Sequence, residues 1–251
     1  MTITNKQTGR AIFVLLLIFS VQNSLAESAY KKIIYRAYIN SDMNKWASVI
    51  HTLEANNSAT TTDQKLELIN YYYGYIGYLI GIKKDDQARR LIPVAEKLIN
   101  KVLESSPGNV TALAYKGSFT GFQISVSKFK SILLASESLS NINKAYEMDP
   151  RNIQAVIDKA NALYHAPAVF GGDKREAIKL FLKSISLMET SKTTDQNWTY
   201  LHVLTLVARA YEKQNNLLDA KVIYEKILRK EPDFKLVKEV LYPSILAKLK
   251  N

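Results

Sequence analysis

Residues 201–232, LHVLTLVARAYEKQNNLLDAKVIYEKILRKEP, decide how the chain is read. Leu204, Val207, Ala208 and Tyr211 recur at three- and four-residue spacing, which lines one face of a helix. Asn215-Asn216 interrupts the rhythm, and Ala220, Tyr224 and Ile227 resume it. Pro232 ends the second helix, since proline has no N–H to donate and its ring clashes with the turn before it. The result is a helical hairpin whose apolar stripe needs a neighbour to cover it.

This hairpin resembles the tetratricopeptide repeat (TPR), a helix-turn-helix of 34 residues. With Leu201 as first position, Leu204 supplies the large residue at four, Val207 the aliphatic at seven and Ala208 the small residue at eight. Tyr211 falls at eleven, Ala220 at twenty, Tyr224 at twenty-four and Pro232 at thirty-two. Ile227 stands where the family usually has alanine, which implies a looser helix contact there. Ser106-Pro107-Gly108-Asn109 and Ala145-Tyr146-Glu147-Met148-Asp149-Pro150 look like further repeat ends. Pro107, Pro150 and Pro232 stand 43 and 82 residues apart, so the period is about 41–43 and the units are stretched. Gly117 fits the small position of the middle unit, with Ser138 in place of the later alanine.

Towards the N-terminus the same helical rhythm continues. Tyr30, Ile33, Ile34 and Ala37 form one apolar face, and Asp42 opens a helix bearing Trp46, Val49, Ile50 and Leu53. A tyrosine-rich helix is expected over 64–82, and a long helix from Asp86 to Glu104 in which Pro93 argues for a kink or a division. After the Asn152 unit, Pro167 and Gly171-Gly172 break the chain, and Asp173 with Glu176 reads as a capping box for the next helix. Phe170 is expected to plug into a neighbouring repeat. Residues from Asp233 to Leu249 form a last helix that covers the open end, a position repeat arrays need filled. The fold class is therefore all-α: a right-handed α-solenoid of about five TPR-like hairpins with a C-terminal capping helix.

The 251 residues carry a formal charge of +11 and no cysteine. A hydrophobic fraction of 47% against 23% charged excludes wholesale disorder. Without cysteine there are no disulfides, thiolate metal sites or cysteine nucleophiles. Lys6 and Arg10, the apolar run Ala11–Val21 and Ser24-Leu25-Ala26 are the three parts of a secretory signal peptide, with cleavage after Ala26. An uncleaved anchor is the other reading, although eleven apolar residues rise only about 16 Å against a hydrocarbon core of about 30 Å. Residues 1–26 are thus read as the signal peptide and 27–251 as the repeat domain. The expected location is the periplasm, with secretion as the alternative, and no transmembrane segment is expected in the mature chain.

Catalytic readings fail on chemistry. His51, His165 and His202 fall on different helices without a second histidine at ligand spacing, so no metal and no cofactor is expected. Ser125-x-x-Lys128 and Ser127-x-x-Lys130 overlap in a Ser/Lys-rich stretch and lack partner motifs. Basic residues spread along the helices without base-stacking aromatics between them, so no nucleic acid is expected.

The TPR resemblance implies contact rather than catalysis, with the first helix of each hairpin lining a concave face. Carried onto this chain, its groove positions imply partner-binding residues Asn70 and Tyr73 in the second unit. In the fourth they are Gln154, Asn161 and Tyr164, with His165 beside them; in the fifth, His202, Thr205, Arg209 and Glu212. Gly74, Gly77 and Gly81 share a face of the tyrosine-rich helix, which suits close helix packing or a glycine-floored groove. The implied function is an exported, non-catalytic scaffold or adaptor for a protein or peptide partner in the cell envelope. The alternative is a periplasmic ligand-binding component of a solute uptake system. Its basis is the Gly-Gly-Asp break, similar to that in helical-repeat subunits associated with TRAP-type transporters, and it makes a small ligand possible.

Overall fold

A computed structural model gives the fold and describes residues 29–127 and 131–250. The export signal read above lies outside the described residues, as do Lys128 and Lys130 of the Ser/Lys stretch and the side chain of Phe170. Among the described residues every regular element is helical. The first helix, α1, covers residues 29–39. It is followed by α2 (Met43–Ala55), α3 (Thr62–Gly81), α4 (Asp85–Ser105), α5 (Val110–Val126) and α6 (Ser131–Met148). Then come α7 (Ile153–His165), α8 (Lys174–Thr190), α9 (Trp198–Lys213), α10 (Leu217–Lys230) and α11 (Tyr242–Lys248).

Polar side chains start the helices. Asp42, Asn109, Asn152 and Asn197 each accept a hydrogen bond from the first turn of the helix that follows. Thr61 and Gln64 close a full capping box on α3. At α8 only half of the expected box forms. Asp173 accepts from the Arg175 and Glu176 amides, while the Glu176 carboxylate turns to Lys179 at 3.2 Å. Pro93 does not divide α4, which stays one helix with Ala88, Ile92, Ala95, Ile99 and Val102 buried along a single stripe.

Consecutive helices pack as pairs: α3 with α4, α5 with α6, α7 with α8, and α9 with α10. The first members also meet from unit to unit, α3 on α5 and α5 on α7. This is an all-α TPR-like solenoid with α11 and the turn before it packed on α10. Small residues set the closest approaches. A Cβ on Gly117 would stand 2.6 Å from Ile142 and 2.8 Å from the Ser138 carbonyl, and the Ser138 hydroxyl donates to the Gly117 carbonyl at 2.7 Å. Ser138 therefore fills the alanine position while satisfying its own hydroxyl. Ile227 is fully buried, so the larger side chain is accommodated without loss of contact.

The end of the chain departs from a regular helix. Leu236–Leu241 winds as a π-helix before α11 begins with a proline, Pro243, in its first turn. A proline there cannot donate to the carbonyl four residues back, and a wider turn relieves the ring clash.

The array also curls back on itself. Tyr38 of α1 packs against Trp198 and His202 of α9 and, at 5.1 Å between ring centroids, against Phe234 beyond α10. Trp46 of α2 meets Trp198 edge-on at 5.0 Å. The Tyr35 hydroxyl donates to Glu231 at 2.9 Å, joining residues 196 apart in sequence. The first and fifth pairs are therefore in contact.

Candidate functional site

The ten residues expected on the concave face sit on α3, α7 and α9, all first members of their pairs. The structure divides them into two bonded clusters and an accessible end.

The first cluster joins α3, α5 and α7. The Tyr73 hydroxyl donates to Asp158 Oδ1 at 3.1 Å and accepts from Asn161 Nδ2 at 2.9 Å. Gln154 Nε2 donates to the same Asp158 oxygen at 3.0 Å. Asn70 Nδ2 donates to the Tyr115 hydroxyl at 2.8 Å, and Asn70 Oδ1 accepts from Trp198 Nε1 at 2.8 Å, which extends the cluster to α9. Three of the expected residues (Tyr73, Gln154 and Asn161) thus gather around Asp158, which has 0% exposure, and Asn70 adjoins them through Tyr115, whose ring lies 5.6 Å from that of Tyr73. Burial raises the Asp158 carboxyl to about 7, opposed by hydrogen bonding from Gln154, Ser118 and Tyr73. Burial also pushes the Tyr73 and Tyr115 hydroxyls well above their ordinary value.

His202 and Thr205 belong to the second cluster. The Tyr38 hydroxyl and His202 Nδ1 share a hydrogen bond of 3.2 Å, and the Trp198 ring lies beside the imidazole. Burial lowers His202 to about 4, with Arg209 acting in the same direction, so the ring is neutral at physiological pH. The Thr205 hydroxyl donates to the Leu201 carbonyl at 2.8 Å. Glu212, further along α9, accepts from the Tyr224 hydroxyl and pairs with Lys248 at 2.9 Å.

Tyr164, His165 and Arg209 occupy the C-terminal ends of α7 and α9, where His165 and Arg209 are exposed. The Tyr164 ring meets His165 edge-on at 5.2 Å, and Lys213 Nζ lies 5.6 Å from the centre of the Tyr164 ring. This end combines accessible cations with aromatic faces.

The glycine face of α3 splits between its two readings. Gly74 serves packing, while Gly77 has only Phe122 nearby, at 3.9 Å, and Gly81 has open space. Tyr75 and Tyr78 stack on the same helix at 6.2 Å between ring centroids, and Tyr78 is 38% exposed. Sequence reading missed Asp158, Tyr115 and Trp198. Asp158 precedes a lysine and reads as part of a solvated face, and only α3 and α5 folding over it reveal the burial. Among the described residues no group of three His, Cys, Asp or Glu side chains is placed to hold a metal ion.

Fold and wall together define an all-α, TPR-like helical repeat protein. No known family's sequence profile matches the chain. The chain is similar to TTC0263, a thermophilic TPR protein of Thermus thermophilus, with a TM-score of 0.56 and 14% identity. That match covers 88% of this chain and 99% of the other. It is also similar to the HusA haemophore of Porphyromonas gingivalis, with a TM-score of 0.57 and 18% identity over 73% of this chain and 94% of the haemophore. In sequence, 156 residues are 24% identical to the heat shock protein 70 homolog LHS1 of Candida glabrata, covering 61% of this chain. The chain matches only 17% of that relative's length. No described helix is long and apolar enough to cross a membrane.

Proposed function

We propose that the chain is an exported, non-catalytic adaptor that holds a protein or peptide partner on the accessible end of its inner wall. Residues 1–26 act as the signal peptide, and 27–251 form the repeat domain that works in the periplasm. One observation carries the reading: Lys213 sits over Tyr164 beside exposed His165, with exposed Arg209 one turn earlier on α9, while much of the rest of the wall is bonded to itself. Asn70, Tyr73, Gln154, Asn161, His202 and Thr205 then hold the wall in shape, and Glu212 ties α9 to Tyr224 and Lys248. A cation over an aromatic ring, with a second cation one turn away, favours a partner segment with carboxylates next to an aromatic or aliphatic residue.

The test is an affinity pull-down from envelope extract, comparing the mature protein with a Tyr164→Ala/Arg209→Ala variant. A Leu218→Ser variant on the exposed flank of α10 is the control. Partners lost only from the double variant support the reading; equal recovery by all three sinks it. Mass spectrometry of the exported chain, starting at Glu27, checks the cleavage.

The second reading is a small-ligand carrier of an uptake system. It is favoured by the open space at Gly81, by Phe122 lying 3.9 Å from a Cβ on Gly77, and by a fold neighbour that is a haemophore. Titration with haemin, followed by absorbance, separates the two: a saturable one-to-one spectral shift lost in Gly81→Trp favours the carrier.

A further inference from the structure

The turn between α7 and α8 carries an inference independent of the adaptor reading. Ala166-Pro167-Ala168-Val169-Phe170-Gly171-Gly172 is a run of seven residues without one polar side chain. In the structure Pro167, Ala168, Val169 and Gly171 are exposed. Ala168–Phe170 forms a single 3-10 turn, and Val169 at its tip is 85% exposed, the most exposed of the large apolar residues described.

The turn is nonetheless tightly built. The Gly171 amide donates to the Ala168 carbonyl at 3.0 Å, Gly172 to Pro167 at 3.1 Å, and Asp173 to Leu163 at 3.0 Å. The Ala166 amide donates to Ala162 at 3.0 Å, and Pro167 has no amide hydrogen to satisfy. Gly171 has φ +85°, and a Cβ on Gly172 would stand 1.9 Å from the Ala166 carbonyl oxygen, so both positions need glycine. The bonds that close the turn lie on either side of Val169, so its apolar side chain is held out from the helices.

Charge surrounds the tip. Lys174 and Arg175 are exposed in the first turn of α8 directly behind it, and Lys179 follows. On the neighbouring end of α9 stands the Lys213 ammonium beside Tyr164. Of the acids nearby, Asp173 caps α8 and keeps its charge, and Glu176 pairs with Lys179, which leaves Lys174 and Arg175 as the free cations behind the tip. An apolar tip with a cationic collar complements a membrane surface bearing anionic headgroups.

We propose that the Ala166–Gly172 turn inserts its tip into the interface of an anionic lipid membrane, with Lys174 and Arg175 on the headgroups. One such tip gives weak, reversible attachment rather than a permanent anchor.

Sedimentation with vesicles tests this, using residues 27–251, which hold every described element of the fold and exclude the apolar leader. The vesicles are phosphatidylglycerol mixed with phosphatidylethanolamine, against pure phosphatidylcholine. The expected result is binding to the anionic vesicles alone, about tenfold weaker in Val169→Asp and in Lys174→Glu/Arg175→Glu, with unchanged circular dichroism. Because Val169 is so exposed, Val169→Trp should fold as well, bind at least as tightly and show blue-shifted fluorescence on the vesicles. No binding to anionic vesicles, or equal binding by Val169→Asp, overturns the proposal; the latter assigns the attraction to surface charge alone. A Val169→Asp defect in protein pull-downs without any vesicle binding overturns it in favour of a protein pocket.

Discussion

Gly74 sits where two tryptophan rings press against α3. A Cβ there would stand 2.6 Å from Trp46 and 2.8 Å from Trp198, with ring atoms of two large buried side chains having to give way. Gly74→Ala should therefore cost about 1–3 kcal/mol by overpacking, although alanine is the better helix former. Gly81→Ala, with open space around it, should be neutral or stabilising. Urea denaturation of both variants reads the contrast. Two buried titratable groups set a second residue-scale expectation. Asp158 is raised to about 7, so its folded form keeps a proton that the unfolded chain loses near pH 4. That contribution is present in acid and is lost as pH rises towards 7. His202 is lowered to about 4, so its contribution is present above the ordinary histidine value and is lost as pH falls towards 4. The two slopes oppose each other between pH 4 and 7. Removing one exposes the other: stability rises with pH across this window in Asp158→Asn and falls with pH in His202→Gln. Denaturation midpoints across the range check both signs, and parallel profiles for the two variants refute the assignment.

Adjacent helices are stapled by tyrosine hydroxyls donating to carboxylates. Tyr72 of α3 reaches Glu54 of α2, Tyr224 of α10 reaches Glu212 of α9, and Tyr242 of α11 reaches Glu225 of α10. Tyr200 of α9 donates to Glu189 of α8 at 2.6 Å, and Lys226 of α10 pairs with that same carboxylate at 2.6 Å. Each staple lets a ring fill the layer between helices while its polar tip emerges at the edge. Tyr224→Phe keeps the ring and removes the charge-assisted bond, and should cost about 1–2 kcal/mol in denaturant unfolding. Lys248→Ala removes only an exposed partner of Glu212 and should cost less than about 1 kcal/mol. At this scale much was legible in the sequence. The apolar spacing of Leu204, Val207, Ala208 and Tyr211 places α9, and Asp42, Asn152 and Asp173 mark the starts of α2, α7 and α8. The π-turn before Pro243 was not legible, because local spacing reports which face is apolar and not how tightly a turn is wound. The Glu176 half of the box at α8 failed for a related reason: Lys179, one turn along, competes for the same carboxylate.

Across the whole molecule, contact between the first and fifth pairs is what local periodicity cannot show. Trp46 and Trp198 each read as one more apolar residue on its own helix, and their meeting depends on the superhelix bringing distant units together. Open repeat arrays gain stability from neighbouring units alone. Here Tyr38, Trp46, Trp198 and Phe234 add a bond between the ends. Trp198→Ala should therefore cost about 3–5 kcal/mol and speed amide hydrogen exchange in α1 and α2 as well as in α9. The same closure occupies Asn70, through Trp198, and His202, through Tyr38, while Tyr73, Gln154 and Asn161 are bonded between α3 and α7. The absence of cysteine makes the closure directly measurable. Cysteines introduced in place of Tyr35 and Glu231, the only thiols in the chain, can be bridged by a short bismaleimide in dilute solution. Rapid intramolecular bridging in the native protein, abolished in urea, is the expected result. Native protein that reacts only singly, or bridges no faster than in urea, would mean that the ends of the array do not meet.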